Sequence, residues 1–141
     1  MQYVCDAGAN TWFRIETAGE ATLESQAMRH AVEKYFLDAQ SQATETYVPP
    51  PSLPKVEQKI GLKAHIQRAM PMFLTLRDKD GTALVTAMLP PVGQDDKSFR
   101  PVIVGPANSD PYAAHAAAIR ALATHFRLAL DAVRCFPYRR S

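Results

Sequence analysis

Arg120, Arg127 and Arg134 recur at intervals of seven residues, and Arg139 and Arg140 follow them at the C-terminal end. On a continuous helix, seven residues make nearly two full turns, so such side chains line up with a drift of only about 20° per step. A ridge of fixed guanidinium groups is the chemistry that grips phosphates or an acidic protein surface. The same spacing also describes the solvated side of an amphipathic helix, with Asp131 shared between Arg127 and Arg134 as an i±3/4 partner. From Pro111 onward those five arginines face the single acid Asp131, so this is the basic end of a chain whose net charge is only +2.

The other reactive residue types are scattered. His30, His65, His115 and His125 form neither HxH nor HxxxH, and no CxxC occurs. His30 and Glu33 would share a helical face, but two ligands do not hold a metal, and a solvated helix surface explains them better. Cys5 and Cys135 are too few for a disulfide framework and read as reduced thiols, although a bridge between the termini is geometrically open. No G-x-S-x-G elbow is present. The single glycine of Gly105-Pro106-Ala107-Asn108 offers few free amides to a phosphate. Asp78, Asp80, Asp95 and Asp96 are loop acids without the twelve-residue calcium-loop pattern. No residue takes a catalytic role on this reading, and no metal or cofactor is implied.

The elements that would position these groups can be read from periodicity. Tyr3-Val4-Cys5 and residues 11–17 alternate like strands around a turn at Gly8. In the second, Phe13 and Ile15 share one face while Trp12, Arg14 and Glu16 share the other. Residues 22–42 read as one long helix, with Leu23, Ala27, Ala31, Tyr35 and Ala39 as its apolar stripe, flanked by Met28, Val32 and Phe36. Thr17-x-x-Glu20 fits a capping box at its start.

Residues 48–54 carry four prolines and read as a stiff connector. Residues 56–70 suit a short helix weakened by Gly61. Residues 72–77 and 82–89 are β-like runs joined by Asp78-Lys79-Asp80-Gly81, a hairpin signal. A further strand lies at 99–104, at an edge or beginning after Pro101. Asp110-Pro111 opens a second helix expected to reach Arg134, with Ile119, Leu122, Phe126, Leu130 and Val133 as its seam.

The expected fold class is therefore α+β: a two-layer arrangement, with a mostly antiparallel sheet of about five strands covered by two main helices in the order ββα(α)βββα. That element order resembles the profilin-like scaffolds, including PAS-type sensors and roadblock-type dimers, and the resemblance is one of architecture alone. A chain of 141 residues, 47% hydrophobic and 21% charged, suits a single domain spanning 1–141. Mean hydropathy is −0.19 and no apolar run reaches the ~20 residues of a membrane-spanning helix. The N-terminus has no secretory signal pattern, so a cytoplasmic location is expected.

Three functions fit these features. The first is a non-enzymatic binding or regulatory domain that works through contacts with a partner protein or a second copy of itself. Another is nucleic-acid accessory binding through Arg120, Arg127, Arg134, Arg139 and Arg140. The third is a small-ligand sensor with a pocket between sheet and first helix, lined by Phe13, Ile15, Tyr35 and Phe36.

Overall fold

The computed structural model describes residues 1–94 and 98–135. Its strands are β1 (Gln2–Ala7), β2 (Asn10–Arg14), β3 (Met72–Arg77), β4 (Ala83–Leu89) and β5 (Val102–Val104). They form one antiparallel sheet in the order β1-β2-β3-β4-β5. Its helices are α1 (Ala18–Met28), α2 (Val32–Glu45), α3 (Lys55–Ala69) and α4 (Tyr112–Phe126). The expected α+β class with an antiparallel five-stranded sheet is present.

Local chemistry explains several boundaries. Gly8 at φ 66° lets the chain reverse between Ala7 and its partner Asn10. At the next hairpin the Asp78 carboxylate accepts from the N–H groups of Asp80 and Thr82, at 2.9 and 3.0 Å. The capping box forms as expected: Thr17 Oγ1 accepts from Glu20 N–H, and Glu20 Oε1 accepts from Thr17 N–H, both at 3.1 Å. β5 begins after Pro101, and Asp110 Oδ1 accepts from Tyr112 N–H at 2.8 Å to open α4. Residues 56–70, ambiguous in sequence, belong to α3. At Gly61 a Cβ would meet the Tyr47 hydroxyl, so a larger residue there would require that ring to shift.

Both long helices end early. The stretch expected as one helix over 22–42 is two, because Arg29 adopts the left-handed conformation at φ 55° and the chain restarts at Val32. The helix expected to reach Arg134 stops at Phe126, with Arg127 left-handed at φ 56°. The two ends close alike. His30 N–H reaches back to Ser25 O at 3.3 Å, and Leu128 N–H to Ala123 O at 3.0 Å, which is the long bond of a Schellman closure. Neither site has the glycine that usually marks such an end. What compensates is burial: Val32 and Phe36 sink into one core, and Leu128 and Leu130 into another.

Those two cores lie on opposite faces of the sheet. Trp12, Leu74, Leu76, Val85, Ala87 and Ile103 point to the face that α4 covers, where Ile119 and Leu122 meet them. Trp12 Nε1 donates to Ala118 O at 2.9 Å, which ties that helix to the sheet. The opposite face carries Phe73, Thr75, Thr86 and Met88, with α1 and α2 packed over it through Ala21, Val32 and Phe36. On both sides of the break at Arg29 the buried stripe lies one position on from the expected one. Leu23 and Tyr35 of the expected stripe are 64% and 58% exposed, whereas Met28, Val32 and Phe36 are buried.

Candidate functional site

A cavity of ≈ 430 Å³ opens on the α1–α2 side of the sheet, between the α1–α2 junction and strands β4 and β5. Val32, Phe73, Met88, Val102 and Val104 give it apolar walls. Its polar end is made by His30, from the junction, and Thr86, from the centre of β4. Tyr35 and Asn108, both exposed, stand at the rim. Asn108 belongs to a 3₁₀ turn, Pro106–Asn108, in which Ala107 and Asn108 are both left-handed, at φ 56° and 58°. Asparagine tolerates that conformation, while for alanine it costs about 1–2 kcal/mol.

Behind the polar end lies a chain of hydrogen bonds running into the protein. His30 Nε2 lies 2.9 Å from Thr86 Oγ1. The Thr86 hydroxyl donates to Glu24 Oε2 at 2.5 Å, and Arg77 Nη2 donates to Glu24 Oε1 at 2.7 Å. Glu24 is fully buried, while the Arg77 side chain keeps 18% exposure. An unpaired carboxylate here would be prohibitively costly, so guanidinium and hydroxyl together are what make its burial possible. Arg77 is held in turn by Nε donating to Thr75 Oγ1 at 3.0 Å and Nη1 donating to Gly81 O at 3.0 Å. Burial pushes the His30 imidazole below its ordinary range, against smaller opposing pulls from a backbone hydrogen bond and the Glu24 charge.

The α1–α2 junction that carries His30 is fastened across the break. Ser25 Oγ accepts from Glu33 N–H at 2.8 Å, and Thr22 Oγ1 donates to Glu33 Oε1 at 2.9 Å. The imidazole therefore sits on a braced corner and not on a loose loop.

The expected site residues are distributed as follows. Of the four expected to line a sheet–helix pocket, Tyr35 does so. Phe36 packs edge-to-face on Phe73, with ring centroids 5.3 Å apart, behind the cavity wall. Ile15 is buried in the same core, and Phe13 is half-buried on β2 away from the cavity. The seven-residue arginine alignment required helix through Arg134 and is not formed. Arg120 is exposed on α4, Arg127 ends that helix, and Arg134 lies in a following turn where its Nη1 donates to Ala129 O. Arg139 and Arg140 lie outside the described residues, as do Asp95 and Asp96. Val133, expected in the α4 seam, is 68% exposed beyond the helix end, while Leu130 is buried by the returning chain.

Glu24, Thr86, Val102 and Val104 were not singled out from sequence, while His30 was weighed only as a partner of Glu33 on a helix surface and Asn108 only as part of a poor phosphate loop. One signal was available: Ala21, Glu24, Met28, Val32 and Phe36 follow a buried phase, with a carboxylate in its midst. Cys5 and Cys135 are both free thiols, and burial raises Cys135 above the usual thiol range. Among the described residues no group of His, Cys, Asp and Glu side chains is arranged to hold a metal ion, and no helix is long and apolar enough to cross a membrane. Compared with protein families, curated proteins and solved structures, the chain matches none, so the reading of this site rests on its own geometry.

Proposed function

We propose that this chain is a small-molecule binding domain whose site is the cavity between the α1–α2 junction and β4–β5. One observation carries the reading: a ≈ 430 Å³ apolar hollow ends on His30 and Thr86, which are anchored on a fully buried carboxylate. Small-molecule sites commonly occupy about 300–1,000 Å³ and combine apolar walls with a few fixed polar groups. A buried charge network at the end of a cavity contributes little to stability compared with apolar packing, which favours a role in recognition. Thermal unfolding in the presence of small neutral aromatic and aliphatic compounds is the test. Binding raises the transition temperature by mass action, and Val102→Phe, which fills the cavity, removes that rise. A full compound panel with no shift, and no amide perturbation at Val102 or Thr86 by NMR, would defeat the proposal.

A second reading, contact with another copy of the chain, is supported by α3. That helix has no buried residue, and its Val56 and Ile60, one turn apart, are 69% and 65% exposed. Light scattering of the wild type and Ile60→Glu tests it: a dimer converted to monomer supports it, and a monomer in both cases ends it.

A further inference from the structure

The chain of hydrogen bonds at the cavity's polar end has a direction, and that direction specifies a ligand. Arg77 can only donate, and Glu24, as its carboxylate partner 2.7 Å away, accepts. The Thr86 hydroxyl has one proton, which is committed to Glu24 Oε2 at 2.5 Å. Toward His30, 2.9 Å away, Thr86 must therefore accept, which places the imidazole proton on Nε2. In the neutral ring the remaining nitrogen, Nδ1, then presents a lone pair. That lone pair accepts from Val32 N–H in a long bond of 3.4 Å. Thr86 Oγ1 keeps a second lone pair of its own.

Every proton in the series is thus aimed inward, toward Glu24. What the polar end has left to offer is accepting capacity, and neighbouring bonds in such a chain polarise one another and strengthen it. A carboxylate or phosphate would meet a lone pair where it needs a donor, and would lose its water among apolar walls. An ammonium would have to shed its water among Val32, Met88, Val102 and Val104, while Glu24 is already neutralised by Arg77. A neutral N–H or O–H on an apolar body fits both the walls and the end.

We infer, resting on the small-molecule reading above, that the cavity selects neutral, mainly apolar ligands bearing a hydrogen-bond donor, which is received by the remaining lone pair of Thr86 Oγ1, the atom that His30 and Glu24 orient. The two requirements are separable: walls give affinity for the apolar body, and the Thr86 acceptor gives discrimination between donor and non-donor. Replacing the ligand's donor by an acceptor of the same size should leave the first and destroy the second.

Indole and benzofuran provide that comparison, since they share shape and differ in whether the five-membered ring carries an N–H or a bare oxygen. Titration of each into the full chain at pH 7, followed by NMR, gives two dissociation constants. Indole is expected to bind at least about tenfold more tightly, the worth of one well-made hydrogen bond. Thr86→Ser keeps the hydroxyl and should keep the preference, whereas Thr86→Val should bring it below about threefold while benzofuran affinity stays. Should Thr86→Val fail to fold, the wild-type ratio and Thr86→Ser decide alone. Equal affinities, or benzofuran binding the tighter, overturn the donor selectivity and leave the pocket intact. Binding of neither probe, or binding of both that persists in Val102→Phe, overturns the pocket and the selectivity with it.

Discussion

The two faces of the sheet solve the same problem in opposite ways. Under α4 the packing is closed and nearly free of polar side-chain atoms. Among the described residues, the Trp12 indole nitrogen is satisfied by Ala118 O and the Tyr112 hydroxyl by Leu130 O. Under α1 and α2 the sheet carries Thr75 and Thr86 instead of aliphatic residues, buries Glu24, and borders a hollow that no side chain among the described residues fills. A closed apolar layer supplies stability, since each buried aliphatic side chain contributes about 1.5–3 kcal/mol. The second layer sacrifices part of that return for an ordered polar array beside empty space.

Truncation is the sharpest way to break that contrast. Trp12→Ala on the closed face should cost about 3–5 kcal/mol, as both packing and the bond to Ala118 vanish. Met88→Ala, on the cavity wall of the same sheet, should cost about 1 kcal/mol, because the space it vacates already adjoins solvent-accessible volume. Urea unfolding monitored by circular dichroism compares them directly. Equal losses would mean that the two faces carry the fold alike and that the contrast drawn here has no energetic content.

Removing the buried charge probes what the open face sacrifices. Glu24→Ala leaves Arg77 without its partner and both Thr86 and His30 without their anchor, so a loss of about 3 kcal/mol or more is expected. A loss under about 1 kcal/mol in the same unfolding assay would show that the array is not a coupled network. Thr86→Val should be milder, at about 1–3 kcal/mol, since it strands acceptor and donor capacity but no charge.

His30 allows a gentler perturbation, by pH. Burial lowers its pKa in the folded protein, so below its ordinary value of 6.5 the unfolded chain binds more protons than the folded one. Stability attributable to His30 is therefore complete above that range and declines as pH falls through it. Wild type should lose stability between pH 7 and pH 5 faster than His30→Gln, with carboxylate effects common to both cancelling in the difference. Parallel curves would indicate that the imidazole is freely solvated and does not serve as an end of the buried chain.

How much of this was readable beforehand follows from where the energy comes from. The capping box at Thr17, the hairpin at Asp78–Gly81 and the start of β5 after Pro101 are local effects, complete within a few residues, and the sequence announces them. The breaks at Arg29 and Arg127 are not announced, because arginine is a good helix former and gives no intrinsic reason to turn left-handed. There the compensation lies beyond the break: Val32 and Phe36 in one case, and Leu128 and Leu130 in the other, are buried in a core. The cavity inherits that difficulty, since His30 belongs to the first break. Had residues 22–42 formed one straight helix, the corner that carries His30 would be absent, just as Arg120, Arg127 and Arg134 would have aligned had the second break been absent.

The smallest expected effect tests that account of the breaks. Arg127 is exposed and its left-handed backbone opposes its own side chain, so the tertiary contacts beyond it must outweigh the strain. Arg127→Gly removes the strain at a Schellman end while deleting little packing, and should raise stability by about 0.5–1 kcal/mol despite the greater freedom of glycine in the unfolded chain. Arg29→Gly relieves the same strain on the other face, but it also frees the corner from which His30 is held. Its gain should be smaller, and it should weaken any indole preference that Arg127→Gly leaves untouched. If instead Arg127→Gly destabilises, the left-handed turn is held by contacts of the arginine side chain itself. The break would then be encoded at the residue where it occurs, and not by the leucines that follow it.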